Sequence, residues 1–205
     1  NDEGNLVSVV PAFGGKVLGD ILCPNHRPQI ATVQAGVMDT ICSTGNQRGV
    51  IVDYDPNPAL MKDKGRVKAL GIHQEKIKGI PLEKAEVVVA GGWGIGCKED
   101  WGLLVELADL LGGAVGCTRP ALDEGWAEGE HQMIGTSGKT IRPKVYIGAG
   151  ISGATHHICG MKDAGLVINI NKDEDAPVFD TSDLRIVGDA KTILRKLIEE
   201  LKCKC

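Results

Sequence analysis

The segment that decides the fold is KVYIGAGISGATHHICGMKDAGLVININKD, which spans residues 144–173. An apolar run at Val145–Ile147 predicts a strand, and a second run at Leu166–Ile170 predicts another. Between them lie a glycine turn at 148–150 and a stretch, Ile151–Met161, that we predict to be a helix. A strand, a helix and a second strand in this order predict two parallel strands of one sheet.

The glycines of this segment have the spacing of a nucleotide-binding turn. Gly148–Gly153 fits G-x-G-x-x-G, in which backbone N–H groups approach a pyrophosphate at the N-terminus of a helix. In NAD-binding proteins an acidic residue follows about 20 positions later and holds the ribose. Here the second strand ends in Asn171 and Lys172, and two imidazoles, His156 and His157, follow the turn. The pattern therefore favours a dinucleotide other than NAD, and FAD is the candidate.

Length and composition indicate a globular α/β protein. The 205 residues are 42% apolar and 24% charged, which argues against disorder. Aromatic residues are scarce at 3% while glycines number 28, a combination that favours tight strand-to-helix turns over a sandwich. The net charge of −4 argues against a nucleic-acid partner, and no apolar run reaches the ~18 residues of a membrane span. Asn1–Gly4 resembles neither a signal peptide nor a basic presequence, so we expect a cytoplasmic protein, or one of the mitochondrial matrix if the source is eukaryotic.

Seven cysteines are present, and none forms a C-x-x-C pair. A zinc or iron–sulfur site needs several thiolates at short spacing, so the sequence argues against a metal centre. The odd count and the apolar neighbours favour reduced, buried thiols in a reducing compartment.

The first part of the chain is rich in predicted strands and poor in helices. We predict strands at Leu6–Val10, Lys16–Cys23, Ile30–Gln34 and Val50–Asp53, with no long amphipathic helix to cover them. Such a segment belongs to a larger domain or completes its sheet with a partner, because open strand edges pair with other chains and promote aggregation. The polar, lysine-rich stretch 55–81 is predicted to be a linker that carries one short helix at most.

From Lys84 onward, strands and helices alternate. The predicted strands are 85–90, 114–117, 145–147, 166–170 and 184–187, and the predicted helices are Glu99–Leu111, 151–161 and Ala190–Lys202. This alternation predicts a doubly wound parallel sheet, a Rossmann-like α/β fold, behind an incomplete, strand-rich N-terminal segment. Ligands of such sheets bind beyond the carboxyl ends of the strands, where we expect the following polar groups to meet. They are Trp93, Thr118, Arg119, the turn 135–138, the turn 148–157, Asn171, Lys172 and Asp189.

Each of these polar residues also has an ordinary structural explanation. Arg119 can stabilise an anionic ring or pair with a surface carboxylate, and Ser137 can donate to a ring nitrogen or belong to a simple turn. Trp93 can stack on a ring or pack against the protein, and Asp189 can hold a ligand or cap the last helix. The adjacent histidines point in different directions on a helix, so one can reach a ligand while the other packs, and the pair cannot chelate a metal.

Hydrolytic functions are disfavoured. The sequence has no Ser-His-Asp order and no G-x-S-x-G elbow, and residues 135–140 end like a P-loop but lack its first glycine. Two alternatives to an FAD-dependent electron carrier stay open. One is an NAD-dependent oxidoreductase that uses the glycine turn with a histidine base, and the other is a scaffold whose cofactor site has decayed.

Taken together, these residues resemble the α subunit of electron transfer flavoproteins, including the FixB proteins, over nearly the whole chain. The resemblance is carried by PAFGG at 11–15, PNHRPQIATV at 24–33, GCTRP at 116–120, GISGA at 150–154, GMKD at 160–163, INKD at 170–173 and APVF at 176–179. It implies an FAD-binding domain at residues 83–205. Residues 1–82 then form the last part of a longer N-terminal domain together with a linker.

The resemblance also implies roles for single residues. Arg119 would lie against the flavin ring with Thr118 beside it. Ser137 takes the place of a threonine that bonds flavin N5, and His157 that of a histidine near the C2 carbonyl. Contacts to the ribityl chain, the phosphates and the ribose fall on Ser152 and the turn after it, Asn171 and Asp189. The full set of expected cofactor-binding residues is Trp93, Thr118, Arg119, Ile134, Gly135, Thr136, Ser137, Ser152, Gly153, Ala154, Thr155, His156, His157, Asn171 and Asp189.

The implied function is to accept electrons from dehydrogenases and pass them, one or two at a time, to a flavoprotein or quinone-reductase acceptor. The expected partners are these donors and acceptors and a β subunit, with which the chain would form a heterodimer. Some relatives hold a second flavin and bifurcate electrons, so a bifurcating function is a further possibility that the resemblance implies. The sequence departs from the family at Trp93, where an arginine is common, at His156, where a glutamine is common, and at Thr136-Ser137, where Gln-Thr is common. We therefore expect a flavin potential different from that of common family members.

Overall fold

The structure, a computed structural model, describes residues 1–12, 17–33, 37–38, 49–54, 70–72 and 79–204. Its strands are β1 (Val7–Ala12), β2 (Val17–Leu22), β3 (Val87–Gly91), β4 (Ala114–Cys117), β5 (Val145–Ala149), β6 (Leu166–Asn171) and β7 (Leu184–Val187). Its α-helices are α1 (Lys98–Leu110), α2 (Arg119–Asp123), α3 (Thr155–Ile158) and α4 (Ala190–Lys204). Short 3-10 helices lie at 82–84, 93–95, 130–132 and 177–181.

Strands β3 to β7 form one parallel sheet in the order β4-β3-β5-β6-β7. The segments that form it are short and apolar, as expected for parallel strands that are covered on both faces. The strand order reverses between β3 and β5, which are neighbours in the sheet, so successive connections run toward opposite edges from this point. The prediction of an α/β fold with a doubly wound parallel sheet is confirmed.

Alternate residues of the strands supply two hydrophobic cores, one on each face of the sheet. In β3, Val89 belongs to one core and Val88 to the other. The Val89 core is closed by α1 and α4, whose Leu104 and Leu194 are both 0% exposed. The Val88 core is closed by short turns and irregular segments, which supply Leu82, Ile134, Ile141, Ile151, Met161 and Phe179. Burying one such side chain contributes about 1.5–3 kcal/mol, which holds these segments in place without long helices.

Helices α1 and α4 pack against each other on their side of the sheet. Their predicted bounds differ from the observed ones by two residues or fewer. A group of charges joins them, because the mostly buried Asp100 carboxylate lies 3.2 Å from Lys191 Nζ and 3.1 Å from the Arg195 guanidinium. A hydrogen bond from Cys97 Sγ, together with these cations, lowers the pKa of Asp100. The carboxylate is therefore ionised where the two helices meet.

The prediction of a helix over 151–161 is wrong, since only Thr155–Ile158 is helical. Gly150 and Gly153 have φ values of +64° and +94°, in the left-handed region, so the chain turns twice before the helix begins. At the other end, the carbonyl of Gly160 accepts a hydrogen bond of 2.8 Å from the N–H of Ile141. The glycine turn is therefore followed by a compact loop with a single helical turn.

In the N-terminal part, β1 and β2 form an antiparallel hairpin close to the first two predicted strands. The other two predicted strands are wrong for residues 30–33 and 50–53, which have no regular secondary structure. Their apolar side chains are exposed; Ile51, for example, is 93% exposed. β-propensity reports how well a side chain packs on a half-buried sheet surface, and these side chains have no such surface.

Two units are distinguished along the chain: Asn1–Met38 together with Lys78–Cys205, and Asp39–Ile77. The domain boundary expected at residues 82–83 stays a prediction. Most of the predicted linker at 55–81 lies outside the described residues.

Candidate functional site

A cavity of about 510 Å³ lies at the carboxyl ends of the parallel strands, within the range of roughly 300–1,000 Å³ usual for ligand pockets. The end of each strand or the segment after it contributes to the wall: 92–94 after β3, 118–120 after β4, 150–152 and 154 after β5, 171–173 at the end of β6, and 189–190 after β7. It therefore includes the point between β3 and β5 where the strand order reverses. Open parallel sheets bind their ligands at such a point, because the connections on either side diverge and leave a crevice.

The turns after β3 and β5 touch each other through their backbones. Gly92 donates its N–H to the Ala149 carbonyl at 3.0 Å, and Gly94 donates to the Gly150 carbonyl at 2.9 Å. A Cβ atom on Gly92 would lie 2.3 Å from the Gly150 oxygen, and one on Gly150 would lie 2.6 Å from the carbonyl carbon of Gly94. Only glycine fits this contact. Trp93, between the two glycines of the first turn, is 64% exposed and lines the cavity.

Gly153, the last glycine of the G-x-G-x-x-G pattern, packs against the protein. A Cβ atom there would lie 2.1 Å from the backbone nitrogen of Val178. Neither Gly153 nor Thr155 lines the cavity, whereas Ser152 and Ala154 do. Within the described residues, the backbone N–H groups at 152–154 have no hydrogen-bond acceptor. This turn therefore leaves donors available to a ligand or to water.

The loop between α2 and β5 forms another part of the wall. Ile134 donates its N–H to the carbonyl at the end of β4 at 3.0 Å. Thr136 donates its N–H to the His156 carbonyl at 2.8 Å, and its hydroxyl oxygen lies 3.2 Å from His156 Nδ1. Gly135 fits closely here, since a Cβ atom would lie 2.4 Å from the same His156 oxygen. Ser137 is exposed and lines the cavity, and no partner for its hydroxyl is found among the described residues.

Thr118 and Arg119 begin α2 at the end of β4. The Thr118 hydroxyl oxygen is buried and has no hydrogen-bond partner among the described residues, although Thr118 lines the cavity. Arg119 Nε lies 2.8 Å from Asp123 Oδ1, and 61% of its side chain is exposed. The surface ion pair that the sequence left open for Arg119 is therefore present, and Arg119 also lines the cavity. Its stabilisation of an anionic ring stays a prediction.

His157 is buried in the cavity wall and has a protein partner at each ring nitrogen. Nδ1 lies 3.2 Å from the Ile134 carbonyl oxygen, and Nε2 lies 2.8 Å from the Tyr146 hydroxyl oxygen. Burial lowers the pKa of His157 to about 4, and the bond to Ile134 opposes this only in part. The imidazole is therefore neutral at neutral pH. Its expected contact with a flavin carbonyl stays a prediction, which requires one of these partners to be exchanged.

Two predicted residues at the ends of β6 and β7 have structural roles as well as a place on the wall. The Asn171 amide donates to the Ile151 carbonyl at 2.8 Å and accepts from the Asp173 N–H at 3.0 Å. Asp189 caps α4 by accepting from the N–H of Thr192 at 3.0 Å and from its hydroxyl at 2.8 Å. These hydrogen bonds lower the pKa of Asp189.

Of the fifteen residues expected to bind a cofactor, all except Gly153 and Thr155 line the cavity. Two of the lining residues outside that set are charged: Lys172, which the sequence placed at this edge of the sheet, and Asp173, which sequence reasoning left out. Their position directly after β6 is the signal that identifies them. Asp173 also weakens the sequence argument against NAD, because an acidic side chain does follow the second strand at the cavity.

Within the described residues, no group of three or more His, Cys, Asp or Glu side chains is arranged to hold a metal ion. Cys117 is buried, and burial raises the pKa of its thiol to about 12. None of the helices in the described ranges combines the length and the apolar character needed to cross a membrane.

Comparison with known proteins identifies the family. Residues 81–162 match the electron transfer flavoprotein FAD-binding domain. The electron transfer flavoprotein subunit alpha of Thermoanaerobacterium thermosaccharolyticum is 42% identical over 202 residues, which are 98% of this chain and 60% of the relative. Protein FixB of Clostridium saccharobutylicum is 42% identical over 98% of this chain and 59% of its own length. The acryloyl-CoA reductase electron transfer subunit beta of Anaerotignum propionicum is 38% identical over 98% of this chain and 55% of its own.

The chain thus spans about 60% of the length of the curated relatives that it matches. The matched domain begins just before β3 and contains the ends of β3, β4 and β5, which border the reversal point of the sheet. The resemblance stated from the sequence is confirmed, and the cofactor of the matched domain is FAD. The chain belongs to the electron transfer flavoprotein α-subunit family, which includes the FixB proteins.

Proposed function

We propose that the cavity binds FAD and that this chain is the flavin-carrying part of an electron transfer flavoprotein α subunit. Two independent observations support the proposal. The family match covers residues 81–162, and the cavity lies at the strand ends where the fold alone directs a ligand to bind.

The observation that carries the proposal is the buried hydroxyl of Thr118. Its oxygen has no hydrogen-bond partner in the part of the chain that the structure describes, yet Thr118 is on the cavity wall. A buried polar group without a partner costs about 1–3 kcal/mol. A ligand that brings polar atoms to this wall removes that cost, and an isoalloxazine ring carries carbonyl oxygens and ring nitrogens. An apolar ligand leaves the cost in place.

The charged side chains on the wall are two cations, Arg119 and Lys172, and two carboxylates, Asp173 and Asp189, and the two cations favour a ligand that carries negative charge. Only Nε of Arg119 is paired, so its remaining guanidinium N–H groups have no partner among the described residues. Lys172 adds a second cation. The N–H groups at 152–154 add neutral donors, and phosphates bind to backbone donors of this kind. We assign the ring side of the ligand to Arg119 and the phosphate side to Ser152.

Bound FAD supplies the one- and two-electron chemistry that side chains lack. Arg119 contributes a permanent positive charge, because a guanidinium is not deprotonated in proteins. Such a charge favours the negatively charged reduced ring and raises its potential. Ser137 offers a hydroxyl, which we assign to flavin N5. His157 is neutral and adds no charge.

We further propose that the whole protein works as a heterodimer with a β subunit, between a dehydrogenase and a flavoprotein or quinone-reductase acceptor. One relative is named as the electron transfer subunit of an acryloyl-CoA reductase, and a dedicated redox partner of this kind is the class that we propose. The flavin content of the heterodimer, one or two per pair, separates a simple carrier from a bifurcating one.

The test is to incubate the purified chain with FAD, remove the excess, record the absorption spectrum and identify the nucleotide released by acid. About one FAD per chain supports the proposal. A chain that takes up NAD but no FAD, or neither, contradicts it, and the first outcome would favour the NAD-dependent alternative.

A matched pair of variants tests the residue that carries the argument. Thr118→Val removes the buried hydroxyl at nearly constant volume, and we expect FAD to bind about tenfold more weakly. Thr32→Val removes an exposed hydroxyl that does not line the cavity, and we expect unchanged binding. Equal affinities for the two variants would show that Thr118 does not contact the cofactor.

A further inference from the structure

A buried hydrogen-bond chain runs behind the cavity wall. Tyr146, in β5, has its hydroxyl oxygen 2.8 Å from His157 Nε2, in α3. His157 Nδ1 lies 3.2 Å from the carbonyl oxygen of Ile134, in the loop between α2 and β5. His157 and Ile134 line the cavity, whereas Tyr146 does not and is 0% exposed. The chain therefore links a core residue to two residues of the wall.

The direction of each hydrogen bond follows from the chemistry of the partners. A carbonyl oxygen only accepts, so His157 Nδ1 carries a proton and donates to Ile134. In a neutral imidazole the other nitrogen then accepts, so the Tyr146 hydroxyl donates to Nε2. Burial lowers the pKa of His157 and raises that of Tyr146 far above its ordinary value, so both groups stay neutral. Only one tautomer and one ring orientation of His157 make both of these hydrogen bonds.

The backbone around His157 restricts its ring to this orientation. Thr136 donates its N–H to the His156 carbonyl at 2.8 Å, which joins the loop to α3. A Cβ atom on Gly160 would lie 2.4 Å from the nitrogen of Gly135, so the two segments are in backbone contact on the other side of His157. An imidazole turned over between these segments would place a C–H group against the Ile134 carbonyl or the Tyr146 hydroxyl.

We propose that Tyr146 is a positioning residue of the flavin site, which acts through His157 to hold α3 and the loop at Ile134 in the arrangement that binds FAD. The proposal rests on the FAD-binding function proposed above. It matters for that function because the same loop carries Ser137, the hydroxyl assigned to flavin N5. Loss of the Tyr146 hydroxyl leaves Nε2 a buried acceptor without a partner, and the ring is then free to reorient.

The first test needs no flavin. Nitrogen-15 NMR of the imidazoles, in the chain without FAD, reports which ring nitrogen of His157 carries the proton. We expect the proton on Nδ1 in the unmodified chain. A proton on Nε2 would overturn the proposal, because Tyr146 would then accept rather than donate and the link to Ile134 would be absent.

The second test uses Tyr146→Phe, with Tyr54→Phe as the matched control, because Tyr54 is 80% exposed and belongs to the unit Asp39–Ile77. We expect Tyr146→Phe to weaken FAD binding severalfold and to shift the midpoint potential of the bound flavin, while Tyr54→Phe changes neither. A purely structural Tyr146 would lower the free energy of unfolding and leave the potential unchanged, and that result would overturn the proposal.

A double-mutant cycle shows whether Tyr146 acts through His157. In a chain that already carries His157→Gln, we expect Tyr146→Phe to have little further effect on FAD affinity, whereas additive effects would contradict the proposed route. If the unmodified chain binds no FAD, the proposed function fails, and the NMR measurement still decides the tautomer. If Tyr146→Phe does not fold, the NMR measurement on the unmodified chain decides for or against the hydrogen-bond chain.

Discussion

Replacement of Gly150 by alanine tests whether backbone contact between two turns builds the cavity. Gly150 has a φ of +64°, and a Cβ atom there would lie 2.6 Å from the carbonyl carbon of Gly94 and 2.8 Å from the nitrogen of Ile95. The left-handed backbone alone costs an alanine about 1–2 kcal/mol. Forcing an extra methyl group against packed atoms costs about 1–3 kcal/mol more. We expect Gly150→Ala to lower the free energy of unfolding by about 2–5 kcal/mol.

Gly112 provides a matched control for the backbone strain. It follows α1 with a φ of +62°, and no atom of the described residues lies within 4 Å of the position of its Cβ atom. Gly112→Ala therefore carries the same strain without the clash, and we expect a loss of about 1–2 kcal/mol.

The assay is urea unfolding of both variants, followed by FAD titration. The expected outcome is a larger loss of stability for Gly150→Ala and weaker FAD binding for that variant alone, because the turn after β3 has to move. Equal stability losses with equal FAD affinities would refute the argument that this contact shapes the cavity.

Other residues of the site and the core give further predictions. His157 has a folded pKa of about 4, below its unfolded value of 6.5, so the unfolded state binds the proton first as the pH falls. We expect urea titrations to show a stability loss between these values of up to about 1.4 kcal/mol per pH unit, and a smaller loss in His157→Gln. Asp189→Ala removes the cap of α4 and is expected to lower the unfolding free energy by about 1 kcal/mol; no change in urea unfolding would count against the cap. Cys117 is expected to react with a thiol reagent only after unfolding, unlike the exposed Cys23, and equal rates would contradict its burial. Trp93→Arg adds a cation at the cavity and is expected to raise the potential of bound FAD, whereas an unchanged potential in a redox titration would show that Trp93 lies away from the ring.

The parallel sheet and the position of the cavity can be predicted from the sequence for a simple reason. Strands that are covered on both faces carry short apolar runs, and β3, β5 and β6 are such runs, bounded by glycine or polar residues. Once the strands are known, the residues after them must meet at one edge of the sheet. This reasoning brings Trp93, Arg119 and Asn171 to one wall although they are far apart in the chain.

What sequence reasoning misses depends on contacts between distant segments. The helix predicted at 151–161 fails because Gly150 and Gly153 take left-handed backbone conformations, and because a carbonyl near its end bonds to the loop at Ile141. Two of the four strands predicted in the N-terminal part fail, for residues 30–33 and 50–53, because propensity alone provides no partner strand. The partners of His157 cannot be predicted in this way either, because Tyr146 lies in β5 whereas Ile134 belongs to the loop between α2 and β5, outside the named strands.

The glycine pattern suggested a dinucleotide site because glycines allow a phosphate to approach the backbone. In this chain the glycines are needed first for close packing within the protein. A Cβ atom on Gly148 would lie 2.0 Å from Asn169 Oδ1, one on Gly150 would strike Gly94, and one on Gly153 would strike Val178. Each glycine is therefore required by a protein neighbour, before any phosphate is considered. The Gly150 contact holds the turn after β5 against the turn after β3, and the N–H groups at 152–154 have no acceptor among the described residues. Under the proposed function, the motif marks a nucleotide site because close packing of the two turns creates the crevice in which a dinucleotide can bind. Substitutions at these glycines should consequently reduce stability together with FAD affinity, whereas Thr118→Val should reduce FAD affinity without destabilising the fold.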